Sequence, residues 1–97
     1  MKENNASQEV FYRKFKTQLE TTVHFPSIYT YKFIVPNSTD ASSRIKEIFD
    51  ATGAVISARP SAKGTYSSIT ISVMMESADD VIAKYRSVGS IDGVVML

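Results

Sequence analysis

The sequence predicts an α+β fold: four strands and two helices in the order β-α-β-β-α-β, preceded by an N-terminal helix. Three observations carry that reading. Residues 28–35 and 65–75 alternate apolar and polar side chains with the period of a strand. Residues 41–52 and 77–89 repeat their apolar positions at helical spacing. Two strand–helix–strand halves of similar length meet at a Pro- and Gly-containing turn, "RPSAKGT".

The first six residues are polar and are expected to be mobile. Phe11, Phe15 and Leu19 then recur every fourth residue, with Arg13, Lys14, Lys16 and Gln18 between them, which makes one amphipathic helix. Its apolar stripe is expected to dock on the domain, with a partner as the other candidate. Pro26 restricts Phe25 to extended conformations and so ends that helix. We place an N-terminal extension at residues 1–22 and the folded domain at residues 23–97.

In "IYTYKFIV", Tyr29, Tyr31, Phe33 and Val35 share one face while Thr30 and Lys32 share the other, so this strand has one wet side. Asn37 or Ser38 is the expected cap of the next helix. Asp40 favours its positive end, Ala41, Ile45, Ile48, Phe49 and Thr52 form its stripe, and Gly53 is the expected stop. "AVISA" is the second strand. In the third, Ile69, Ile71, Val73 and Met75 alternate with Ser68, Thr70 and Ser72. Ser77 with Asp80 matches a capping box, Val81, Ile82, Tyr85 and Val88 form the stripe that follows, and Gly89 is the expected end. "IDGVVML" supplies the last strand.

This order is the split-βαβ, ferredoxin-like plan. Right-handed crossovers put both helices on one face of a four-stranded antiparallel sheet, with the first and third strands central and the others at the edges. The wet sides of the strands then form one surface, which is open to solvent, covered by the N-terminal helix, or taken by a partner.

Composition narrows the function. A chain of 97 residues, 43% hydrophobic and 22% charged, has the make-up of a single folded domain. Eleven basic residues against ten acidic ones set up no global field towards nucleic acid or an anionic membrane. There is no cysteine, which excludes disulfides and thiolate chemistry and suits a reducing, cytoplasmic setting. No apolar run reaches the roughly 20 residues that span a bilayer.

Catalysis has little to work with. His24 is the only histidine and sits beside Phe25 and Pro26, where a loop or packing role is expected rather than that of a general base, and no triad is expected. Asp79 and Asp80 fall in the first turn of a helix, where carboxylates favour the dipole, and no metal or other cofactor is expected. RNA readers of this fold class stack bases on aromatic residues of the central strands, whereas the third strand here presents Ser68, Thr70 and Ser72. The candidate site is the hairpin. Pro60 and Gly64 are turn residues and explain a plain turn; Arg59, Ser61, Lys63, Gly64 and Tyr66 together also suit a small carboxylate or anion, because a glycine turn can aim backbone amides at one oxygen. The order Lys-Gly-Thr is not that of a phosphate loop.

The blocks "FPSIYTYKFIV", "RPSAKGTYSSITISV" and "VIAKYRSVGSIDGVVML" resemble the YbeD-like family, a domain of unknown function. The block from Pro60 to Thr70 is the most specific, and the resemblance runs from about Leu19 to Leu97. It implies a ferredoxin-like sandwich similar to the regulatory ACT domains, a regulatory role, and an association with lipoate metabolism through gene neighbourhood. It carries no catalytic residues. ACT domains hold ligands near a glycine after their first strand, and this chain has Pro36, Asn37 and Ser38 there. The expected function is therefore a small non-catalytic regulatory or interaction module, acting as a homo-oligomer or on a protein partner; a sensor of a small carboxylate or anion at the hairpin is the alternative.

Overall fold

A computed structural model describes residues 2–97, with side chains from residue 7 onward. The elements are α1 (Lys2–Thr22), β1 (Ser27–Pro36), α2 (Ala41–Ile48), β2 (Val55–Pro60), β3 (Tyr66–Met75), α3 (Ala78–Gly89) and β4 (Val95–Met96). Helix α1 begins earlier than its apolar stripe, and the mobility expected of the first six residues lies outside what is described.

The sheet is antiparallel in the order β2-β3-β1-β4, so the first and third strands are central as the pattern requires. Their register places Tyr31 opposite Ile71 and Phe33 opposite Ile69. These four side chains are fully buried, together with Val35, Ile45, Val81 and Val88 from the strand end and the two helices behind the sheet. Burial of this apolar surface is the main favourable term in folding. The one polar atom Tyr31 carries into the core is satisfied, because its hydroxyl donates to the Val81 carbonyl at 3.0 Å.

Helix α1 docks beside α3. Leu19 is buried, and the Phe15 ring meets Tyr85 edge-on at 5.7 Å. Arg86 forms two hydrogen bonds with Glu9 and stacks on Tyr12, while Lys16 pairs with Asp79. Docking on the domain, expected of the stripe, is what the structure shows; Phe11 nevertheless stays 61% exposed. Because α1 joins the helical layer, the opposite face of the sheet is left open.

Local details differ from the sequence expectations. Neither Asn37 nor Ser38 caps α2: the helix starts at Ala41, Asp40 at the cap position makes no side-chain bond, and Thr39 Oγ1 accepts the Ala41 N–H instead. Asn37 is unavailable because the hairpin holds it. The same helix stops at Ile48, where the chain tightens into Asp50 N–H to Glu47 and Thr52 N–H to Phe49 bonds, and Gly53 closes the turn that follows rather than the helix. Ser77 Oγ accepts the Asp80 N–H as its capping pattern requires. Gly89 is the last residue of α3 and Ser90 is its cap. A Cβ on Gly89 would lie 3.3 Å from Met96 Cε, the flexible end of a side chain from β4. Strand β4 is only Val95–Met96 and adds two rungs to β1.

Candidate functional site

The β2–β3 hairpin is built from its own hydrogen bonds. Ser61 N–H donates to the Tyr66 carbonyl at 2.7 Å, Tyr66 N–H donates to Ser61 Oγ at 3.2 Å, and Gly64 N–H donates to the Ser61 carbonyl at 3.0 Å. Gly64 has φ +74°, the left-handed region that favours glycine. Asn37 clamps the hairpin from outside: its N–H donates to the Thr65 carbonyl, its Nδ2 to the Gly64 carbonyl, and its Oδ1 accepts the Ser67 hydroxyl at 2.7 Å. The Gly64 and Tyr66 amides are thus committed inside the turn.

The open face of the sheet continues from the hairpin base. Strand parity and register put Ile28, Thr30, Lys32 and Ile34 of β1 on this face, with Ser68, Thr70, Ser72 and Met74 of β3 beside them and Val55, Ser57 and Arg59 of β2 at the edge. Thr30 and Ser72 join hydroxyl to hydroxyl at 3.1 Å. Four large apolar side chains on this face are more than half exposed: Ile28, Val55, Met74 and Val95. Every outward position is neutral or basic. Among the described residues neither Lys32 nor Arg59 has a carboxylate partner, since the described ion pairs, Lys16–Asp79 and Arg86–Glu9, lie on the helical side.

Two adjoining depressions share Arg59 and Ser68. One, of about 450 Å³, adds Lys32, Ser57, Ala58 and Thr70; the other, of about 330 Å³, adds Ile34, Pro60, Ser61, Tyr66 and Ser67. Of the residues singled out in the sequence, Arg59, Ser61 and Tyr66 therefore meet at one place. Lys63 and Gly64 line neither depression. Lys32 and the Ser57, Ser68 and Thr70 hydroxyls were not among the candidates. Alternation alone places Lys32 on the wet side of β1, but only the pairing of Lys32 with Thr70 and of Thr70 with Ser57 brings it towards Arg59.

A third cavity, of about 320 Å³, lies on the far side between α1 and the domain, lined by Phe11, Tyr12, Phe15, Tyr29, Tyr85, Met96 and Leu97. Among the described residues no group of His, Asp or Glu is placed to hold a metal ion, and no helix is long and apolar enough to cross a membrane.

Comparison with known proteins agrees with this architecture in extent. The family described as "Protein of unknown function (DUF493)" matches residues 20–97, which takes in the whole sheet, α2 and α3 and leaves out most of α1. The UPF0250 protein IL0958 of Idiomarina loihiensis is 33% identical over 82 residues, covering 81% of this chain and 93% of the relative. A UPF0250 protein of Shewanella sediminis is 30% identical over 81 residues, covering 80% and 92%. The UPF0250 protein VV0902 of Vibrio vulnificus is 31% identical over 86 residues, covering 82% and 90%. With its β-α-β-β-α-β segment matched from end to end, the chain belongs to the DUF493, or UPF0250, family of proteins of unknown function, the YbeD-like family that its sequence blocks resemble.

Proposed function

We propose that the protein is a non-catalytic regulatory or interaction module of the cytoplasm that works by contact, through the open face of its sheet and the hairpin at its end. The observation that supports this is the uncovered face itself. Four apolar side chains stand exposed around a strip of hydroxyls, while α1, which could have covered them, packs on the helical side. Exposed apolar groups gathered on one face, rather than scattered, mark a surface that meets another molecule. α1 is an extension buttressing the domain from behind, and it leaves that surface free. The reading commits to contact because the hydroxyls bonded on and beside this face, as in Thr30–Ser72 and Ser67–Asn37, meet another hydroxyl or an amide and not a base.

A second copy of the chain is the first partner to test, since closed two-fold pairing is the commonest assembly of soluble proteins and the exposed Ile28, Val55 and Met74 would be covered by it. Backbone amide shifts of Ile28, Val55, Met74 and Val95, followed from micromolar to millimolar protein, are expected to move with concentration, with a parallel rise in mass by light scattering. A Val55→Ser, Met74→Ser variant is expected to abolish both. A protein that remains a strict monomer to millimolar concentration, with unmoved shifts, counts against self-association through this face.

A further inference from the structure

We infer that the paired depressions around Arg59 form a binding site for a small organic anion, with a phosphate or carboxylate head and an apolar body. The proposal rests on the reading of the open face as the working surface, and adds a ligand class and an orientation to it.

The head is located by charge and hydroxyls. Lys32 on β1 is level with Ser57 of β2, and Arg59 lies two residues further along, so the two cations stand roughly 12 Å apart at the usual strand spacing and rise. Between and beside them are the Ser57, Ser68 and Thr70 hydroxyls, all lining the same depression of about 450 Å³. Arginine is always charged and presents a planar fork that fits two oxygens of a carboxylate or phosphate, while lysine adds a mobile point charge. Hydroxyls complete the donor set without competing charge. No outward position on the four strands is acidic, so the two cations have no internal counter-ion on their own face. Like charges gathered without a partner favour an anion brought from outside.

The body is located by what adjoins the head. Arg59 and Ser68 also border the second depression, whose other walls include Ile34, Pro60 and the half-exposed Tyr66. Ile34 pairs with Val95, which extends the apolar floor beyond the cavity. The two volumes, about 450 and 330 Å³, lie within the range of small-molecule sites. Apolar walls beside a few convergent polar groups are the arrangement by which such sites fix orientation. The hairpin tip contributes little, because the Gly64 and Tyr66 amides are already bonded within the turn.

Titrations monitored by backbone amide shifts, with phenyl phosphate, benzoate, inorganic phosphate and benzyl alcohol as probes, test each part. Phenyl phosphate or benzoate is expected to shift the Ser57, Ser68 and Thr70 amides saturably, and the stronger of the two identifies the head group. Inorganic phosphate should bind about tenfold more weakly than phenyl phosphate, which corresponds to loss of the contact made by the ring. Benzyl alcohol should leave these amides unmoved. Arg59→Gln and Lys32→Gln, both at exposed positions, should each weaken every anion several-fold, whereas Ile34→Ser should erase the advantage of the ring and leave inorganic phosphate unchanged. Anions that move these amides no more than benzyl alcohol does, or that bind Arg59→Gln and Lys32→Gln as tightly as the parent, overturn the proposal. Concentration-dependent shifts at Val55 and Met74 alongside that result would leave the contact function standing and remove only the ligand.

Discussion

The hydroxyls of Tyr29 and Tyr85 lie 3.0 Å apart, one donating to the other. Burial, and next this hydrogen bond, push the Tyr85 phenol above its ordinary range, and burial does the same to Tyr31. Both stay protonated in the folded chain at a pH where tyrosines of an unfolded chain ionise, around 10. The folded state then holds more protons than the unfolded one. Their contribution is fully present below that pH and is lost as pH rises through and beyond it. Urea denaturation at a series of alkaline pH values should show stability falling by up to about 1.4 kcal/mol per pH unit for each phenol. Tyr85→Phe should remove about half of the slope; a flat profile through this range would contradict the assignment.

Leu19 and Phe11 belong to one helical stripe but differ in what they touch. Leu19 is buried, and Leu19→Ala is expected to cost about 2–5 kcal/mol through lost transfer energy and the cavity left behind. Phe11 is largely exposed, so Phe11→Ala should stay within about 0.5 kcal/mol of the parent. Equal losses in the two variants, measured by chemical denaturation, would show that α1 docks along its whole length.

Gly64→Val isolates backbone strain. A Cβ at Gly64 meets nothing within 4 Å, so crowding is absent and only the left-handed φ of +74° opposes a β-branched side chain. The expected loss is about 1–3 kcal/mol, measurable as a lowered midpoint in urea. An unchanged midpoint would mean that the turn relaxes to another conformation at no cost.

Asn37→Ala removes two side-chain hydrogen bonds that tie the end of β1 to the hairpin. The site is exposed, so global stability should fall by only about 1 kcal/mol. The local effect should be larger: hydrogen exchange at the Ser61 and Gly64 amides is expected to accelerate relative to that of the β1–β3 ladder. Uniform exchange rates in parent and variant would show that the turn holds itself.

The sequence exposed the sheet more fully than the site. Alternation in β1 and β3 is driven by burial of one face, so Tyr31, Phe33, Ile69 and Ile71 could be assigned to the core without coordinates. Helix ends were harder, because a cap depends on which nearby residue is free: Asn37 has the chemistry of a cap, but three hydrogen bonds commit it to the hairpin. The candidate site was legible in half. Arg59, Ser61 and Tyr66 are neighbours along the chain, but Lys32 joins them only through two successive strand registers that no local pattern encodes.

The central ladder also sets the order in which the chain can assemble. Ser27 pairs with Met75 and Pro36 with Tyr66, so every rung between β1 and β3 encloses the whole of α2 and β2. The β2–β3 hairpin closes only the short turn at its tip, beginning with Pro60 opposite Ser67. Short loops close at small entropic cost and long ones must close before their contacts reward them. Refolding should therefore run through the hairpin first, with capture of β1 as the slow step. The Asn37 clamp and the basic face are then among the last features to exist, and a chain halted before that step would carry its turn already formed but no surface on which to bind.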